Sequence, residues 1–310
     1  MLCLFISLIN TSVLNGVNLS MIEAIKKITR PRSEWFPWQH LVLVLGFVYA
    51  LTLDVTWHWW VAALVMWFII ISWGINFTYH RLLSHKAFKT YKWVEYFFSF
   101  LGMLANTGSP LAWVMMHRQH HFHTDVEYDP HSPHEYGWKI LFSLYDDKLY
   151  KERPSEALMF ARHLLTKKFH IFIHDWYHLI LLVYYSILYF SLGVNGLLFL
   201  GVVPGILSVF STNMSNFWNH WSGYRTYPTN DGSRNTWWLI FIAFGENWHN
   251  NHHYEPGNPL PSQKWWEIDP TGWFVKLLRT DGKTKQPIKL RKGDETKDRP
   301  YNWSPKQMME

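Results

Sequence analysis

No lysine or arginine occurs between Arg32 and Arg81, or between Lys168 and Arg225, although 29 are spread over the 310 residues. Each gap is strongly apolar and holds two hydrophobic runs: Leu41 to Leu53 with about His58 to Phe77, then Trp176 to Val194 with Gly196 to about Trp218. Twenty helical residues at ~1.5 Å each span the ~30 Å hydrocarbon core of a bilayer. Only very short turns, around Asp54 and around Asn195, separate the two members of each pair. The sequence therefore predicts an all-α integral membrane protein with four transmembrane helices in two hairpins. All basic residues fall on one side of those hairpins, which the positive-inside rule makes cytoplasmic, termini included. Two buried hairpins of a soluble bundle would explain the apolarity too, but soluble helices seldom run so far without a charged face.

The 20 tryptophans and 18% aromatic content suit headgroup interfaces. The mean hydropathy of −0.12 requires a sizeable polar part outside the bilayer, here a cytoplasmic helical cap. The stretch Trp93 to Met116 is apolar but interrupted by Asn106, Gly108 and Pro110, which predicts an interfacial or re-entrant helix. The organisation expected is an N-terminal cytoplasmic segment (1–35), a central domain of four spans plus cap (36–280) and a polar, loosely ordered tail (281–310). The first 20 residues lack a basic start and do not resemble a cleavable signal peptide, and Met21 is a candidate start. A net charge of +6 is too diffuse to argue for nucleic acid. With Cys3 as the one cysteine, neither an internal disulfide nor a thiolate metal site can form.

Histidine is where the chemistry lies. His80-Arg-Leu-Leu-Ser-His85, His117-Arg-Gln-His120-His121 and His249-Asn-Asn-His252-His253 place eight of the 18 histidines in tight clusters. His80 and His220 close the second and fourth spans at the cytoplasmic end, so nine imidazoles can converge on one side of the membrane. In H-x2-H-H the second and third rings lie within about 60° of the first on an ideal helix, and that face is expected to offer three nitrogens to one site. His80 and His85 point about 140° apart on such a helix, which suits different metals or a pair straddling the helix end. So many nitrogens exclude calcium and magnesium, and a structural zinc needs only four ligands. Iron fits best, because oxygen chemistry beside an apolar cavity requires redox.

HRLLSH, HRQHH and NWHNNHH resemble the three histidine boxes of the membrane fatty-acid desaturases, above all the delta-9 acyl desaturases, bacterial members and stearoyl-CoA desaturase among them. Asn216-Phe-Trp-Asn-His220-Trp-Ser-Gly-Tyr-Arg225 is similar to a further segment of that family, as are Tyr128-Asp129-Pro130-His131 and Lys264 to Pro270. The resemblance covers roughly residues 36–280. It implies a di-iron centre held by His80, His85, His117, His120, His121, His220, His249, His252 and His253, with Asn216 acting through a water. It further implies O2 as co-substrate and a cis double bond, at delta-9, in a fatty acyl chain carried by CoA or a lipid. His249 stands where front-end desaturases have Gln. No His-Pro-Gly-Gly segment of a fused cytochrome b5 is present, so electrons are expected from a ferredoxin, rubredoxin or cytochrome b5-type carrier. A membrane di-iron hydroxylase of a lipid or hydrocarbon is the main alternative, and a metal transporter a more distant one, since transport sites lie near the bilayer midplane.

Of the remaining histidines, His170, His174 and His178 form a helical stripe expected to be interfacial or structural, and His40, His58 and His163 to be interfacial or without a special role. His123, His131 and His134 neighbour the second box, and Asp125, Glu127 and Asp129 are candidates to orient ligand rings. Leu64, Phe68 and Ile71 recur at helical spacing above His80 and are the candidate closed end of an acyl tunnel, about 18 Å up the helix at position 68.

Overall fold

The apolar runs fold as helices whose ends are set by local chemistry. The computed structural model describes residues 19–31 and 33–281; the readings of residues 1–18 and of the tail beyond Asp281 lie outside these. Among the described residues there are helices and only isolated β-bridges, Tyr224 with Asn235 and Asn235 with Trp248. We number the principal helices α1 (Leu19–Thr29), α2 (Phe36–Leu51), α3 (Trp57–Ser84), α4 (Lys92–Met103), α5 (Pro110–His123), α6 (Lys168–Asp175), α7 (Tyr177–Leu197), α8 (Val203–Trp221), α9 (His249–Tyr254) and α10 (Pro270–Leu278).

Two helical runs, Trp57–Ser84 and Tyr177–Trp221, are long and apolar enough to cross a membrane, and α2 is a shorter apolar helix of 16 residues. The second run is not one rod. Gly193 has φ 68° and ψ −162°, a conformation outside the helical region and open to glycine. The chain reverses there, two residues before the turn expected at Asn195. Tyr184 Oη donates to the Leu200 carbonyl at 2.7 Å, and a methyl group on Gly201 would lie 2.9 Å from the Tyr185 ring. The π-helical turn Leu198–Val202 therefore runs back alongside α7 before leading into α8. Ala50 of α2 and Ala63 of α3 pack with Leu198, Phe199 and Val203, tying both pairs together. Their outward faces carry bare aliphatic and aromatic groups, Val42, Leu45, Leu64, Leu182 and Phe190 among them. Such a continuous apolar surface is foreign to a monomeric soluble protein and associates this protein with a membrane.

α3 changes character along its length. It is α-helical to Phe68 and π-helical from Ile69 to Ser84. Against its π half lie α4, α5 and α10, forming the main apolar core with Phe77, Phe98, Val114 and Val275. α3 and α4 touch through glycine: a methyl group on Gly74 would meet the Gly102 backbone nitrogen at 2.5 Å. Gly74→Ala is accordingly expected to destabilise the protein by about 1–3 kcal/mol through overpacking, read as a lower midpoint of thermal unfolding in detergent. A midpoint equal to wild type would mean that α4 is free to move away.

The stretch expected to be broken at Asn106, Gly108 and Pro110 is two helices, α4 and α5. Asn106 (φ 61°) and Gly108 (φ 111°) turn the chain, and Ser109 caps α5 by accepting from the Ala112 amide at 3.3 Å. Gln39 and Tyr185 donate to Asn106 Oδ1 at 2.7 and 3.0 Å, fixing the break against α2 and α7. His40 is part of this buried network rather than interfacial, 3.0 Å from both the Asn106 carbonyl and Ser143 Oγ.

Candidate metal centre

All nine histidines singled out from the sequence are buried, and they meet where the ends of α3, α5 and α8 converge with α9. They form two groups, each with potential ligand nitrogens within 4.8 Å of one another: His80, His85, His117, His121 and His252 in one, His120, His220, His249 and His253 in the other.

This partition corrects the expectation that each H-x2-H-H face serves a single site. Residues i and i+4 diverge by only about 40° on a helix, whereas i+3 and i+4 diverge by about 100°. His117 and His121 thus stay together while His120 turns to the second group, and His249 and His253 stay together while His252 turns to the first. The sequence reading of His80 and His85 is also corrected in part. They belong to one group, because α3 is π-helical at this point: the His85 amide donates to the His80 carbonyl five residues back, at 3.1 Å. A π turn returns residue i+5 to nearly the same side, and the two rings stand 4.8 Å apart. His85 is also the residue that ends the helix.

Carboxylates orient the rings. Asp129 accepts from His120 Nδ1 at 2.9 Å, Asp125 from His220 Nδ1 at 2.9 Å, and Asp231 from His253 Nδ1 at 2.9 Å. Glu246 Oε2 lies 2.7 Å from His80 Nδ1. Asp125 and Asp129 were legible from their position beside the second box. Glu127 was named with them wrongly, being exposed and paired with Lys148 at 2.6 Å. Glu246 and Asp231 were not found from sequence, since no local pattern links them to His80 or His253. Arg81, fully buried, binds both Glu246 and Asp269 at 2.8 Å.

The donor chemistry fits metal cations. A ring whose Nδ1 hydrogen is given to a carboxylate has only a lone pair on Nε2. His120 Nε2 and His253 Nε2 are buried without a partner, and His220 Nε2 faces His249 Nε2 at 3.1 Å. In the other group, His252 Nε2 is 3.0 Å from both His80 Nε2 and His121 Nε2, more than one proton can satisfy. Burial and then the neighbouring imidazoles, His80 first, hold His252 well below the usual histidine range, keeping it neutral and free to ligate. Burial alone would raise Asp231, but His253 holds its carboxyl well below the ordinary value.

Two narrow cavities of about 50 and 40 Å³ flank the histidines and share Trp113, His117, Thr212 and Asn216. The first runs between α3 and α8 past Ile75 and Ile71. The second adjoins, through Phe36 and Met116, a wider opening of about 510 Å³ edged by Lys27, Arg30 and Lys151. Asn216 thus faces the space beside His80, His117 and His249. Of the candidate tunnel residues, Ile71 lines the first cavity. Leu64 is half exposed on the outer surface, and Phe68 packs on Trp73 and Phe244. The change from α to π at Ile69 breaks the 3.6-residue phase that linked the three on paper.

The other histidines are structural. His170 is fully buried against Glu95 at 2.8 Å, His174 meets Ser109 Oγ at 2.7 Å, and His178 lies 3.0 Å from the Thr29 carbonyl. The stripe they form on paper is interrupted at Trp176, between α6 and α7. His131 packs on the His120 ring, 4.3 Å between centroids.

Two adjoining imidazole groups beside narrow cavities could each hold a metal ion within a helical, membrane-associated chain. Residues 56–272 match the model of the fatty acid desaturases, and the protein belongs to that family of enzymes. It is 37% identical over 273 residues to an sn-2 palmitoyl-lipid 9-desaturase of Nostoc sp. (strain 36), covering 83% of this chain and 91% of that one. To an sn-1 stearoyl-lipid 9-desaturase of Anabaena variabilis it is 32% identical, over 82% and 93% of the two chains. It is also 32% identical to an acyl-CoA 5-desaturase of Anemone leveillei, over 82% and 81%.

Proposed function

We propose that this protein is an oxygen-dependent delta-9 desaturase of saturated acyl chains, acting on acyl-lipid. The observation that carries this reading is the five-plus-four division of nine buried imidazoles alongside two narrow adjoining cavities. The carrier and position follow the 9-desaturases among its relatives, which act on lipid-bound palmitoyl and stearoyl groups. The overall change is removal of two hydrogens from neighbouring methylenes, with O2 reduced to two waters by those hydrogens, two electrons and two protons. The electrons come from a separate ferredoxin, rubredoxin or cytochrome b5-type carrier. A hydroxylase of the same chemistry is not favoured by the relatives.

In this reading the first group, with five histidines, and the second, with four and Asn216 through a water, each hold one iron. Two irons so placed supply the redox chemistry that activates O2. The chain does the rest. Glu246, Asp125, Asp129 and Asp231 hold the rings in one orientation and one tautomer. Trp113, stacked on His117 with centroids 4.8 Å apart, walls both cavities. Thr212 and Asn216 line both as well, and Ile75 and Ile71 exclude water from the methyl end. An acyl chain has no polar handle near its reacting carbons, so position is enforced by cavity shape. Four spans, a cytoplasmic cap holding the site and cytoplasmic termini complete the arrangement, in the domain order 1–35, 36–280 and 281–310.

The direct test is gas chromatography of lipids from a host unable to make unsaturated fatty acids, expressing this chain. Monounsaturated acids with the double bond at carbon 9 support the reading, whereas hydroxy acids or no product sink it. The tunnel has its own prediction. Ile75→Trp is expected to shift products to shorter chains by about two to four methylenes, because close-packed interiors resist added volume. Leu64→Trp, on the outer surface, is expected to leave the chain-length profile unchanged. The reverse result would place the closed end elsewhere.

A further inference from the structure

Two of the histidine boxes begin His-Arg, and the structure treats the two arginines differently. Arg81, after His80, is neutralised by Glu246 and Asp269. Arg118, after His117, is almost as deeply buried, at 3% exposure. Its Nη1 donates to the Phe160 carbonyl at 3.1 Å and to His163 Nδ1 at 3.2 Å. Its Nε has no partner. Among the described residues no carboxylate pairs with it. His163 cannot neutralise it either: its Nε2 is 2.9 Å from the Leu83 carbonyl, so it serves Arg118 as a neutral acceptor. The guanidinium stays charged at neutral pH.

A buried, uncompensated cation costs several kcal/mol of desolvation, and a merely structural link from α5 to the Phe160–His163 turn would not need it. His163 links the charge to the Leu83 carbonyl, two residues before His85 of the first histidine group. Arg118 follows His117 directly and stands three residues before His121.

We propose that Arg118 is a positioning residue for electrons: its unpaired charge raises the reduction potential of the metal held by His80, His85, His117, His121 and His252, so that an external carrier can reduce it. This rests on the iron-dependent reading given above. A fixed positive charge stabilises the state with one more electron, and in a low-dielectric interior the effect reaches well beyond contact distance. Arg81 exerts little such influence on the same group because its carboxylates cancel it. The pair of arginines thus divides two tasks, with Arg81 holding the framework and Arg118 supplying the field.

The experiment is a reductive titration of the purified full-length protein, with iron content measured on the same samples and the iron signal followed by Mössbauer and electron paramagnetic resonance spectroscopy. Arg118→Met removes the charge. His163→Asp places a carboxylate against the guanidinium, and His163→Asn puts a neutral acceptor of the same shape there. Arg118→Met and His163→Asp are each expected to shift the reduction equilibrium on the order of tenfold toward the oxidised state, about 59 mV for one electron. His163→Asn should titrate as wild type does. If Arg118→Met does not fold, the Asp and Asn variants of His163 decide the matter by their difference. Equal potentials in all iron-loaded variants overturn the proposal, as does an Asn variant that shifts as far as the Asp variant. A wild-type protein that purifies with zinc and no iron overturns the iron-dependent reading itself, and this inference with it.

Discussion

Replacing His252 with alanine is expected to abolish double-bond formation and to lower iron from about two per chain to about one. Its Nε2 stands 3.0 Å from the Nε2 atoms of both His80 and His121, so it is the nitrogen around which the first group closes. Its loss leaves the remaining ligands without a common centre. His220→Ala is expected to do the same to the second group. His178→Ala is the matching control, because that ring bonds the Thr29 carbonyl and Gln39 and belongs to neither histidine group. It should cost about 1 kcal/mol of stability and spare most activity. Product analysis together with metal analysis checks all three. A His252→Ala protein with full iron and near-normal product would dissolve the proposed ligand set.

Arg81→Leu should have an effect of similar size by a different route. The guanidinium satisfies Glu246, Asp269 and the Pro259 carbonyl in one buried contact set. Removing one partner of a buried ion pair costs about 3–5 kcal/mol, because the other charge stays behind unpaired. Here two carboxylates would be left, and Glu246 is the group that orients His80. The variant is expected to unfold at a markedly lower temperature in detergent and to purify with less iron. Arg81→Lys, which keeps the charge but not the forked geometry, should lie between it and wild type. A leucine variant with unchanged melting and iron content would show that Glu246 and Asp269 find other partners.

Much of this architecture was legible because it depends on local pattern. The absence of lysine and arginine from two long stretches marked the long apolar helices, Asn106, Gly108 and Pro110 marked the break between α4 and α5, and the histidine spacing marked which rings would gather. What escaped depends on backbone geometry or on distance along the chain. Nothing in the composition of Ile69–Ser84 announces π turns, so the pairing of His80 with His85 and the facing of Leu64 were misread. Glu246 is 166 residues from His80, and only the folded chain brings them together. The division of each H-x2-H-H box could have been found from helix angles alone, had i+3 and i+4 been weighed separately. His163, set aside as unremarkable, matters only once Arg118 is seen to lack a carboxylate.

The π-helical half of α3 also changes the ruler by which this enzyme would measure its substrate. With five-residue rather than four-residue hydrogen-bonded steps, each residue climbs less along the axis than in an α-helix, so twelve residues above His80 no longer correspond to about 18 Å. The isoleucines that face the cavity are then nearer to the metal groups than a residue count implies. In the proposed tunnel, the site of dehydrogenation along the acyl chain is registered against this helix. A substitution that returned one π turn to α would therefore translate the register, moving the double bond along the chain without removing the chemistry.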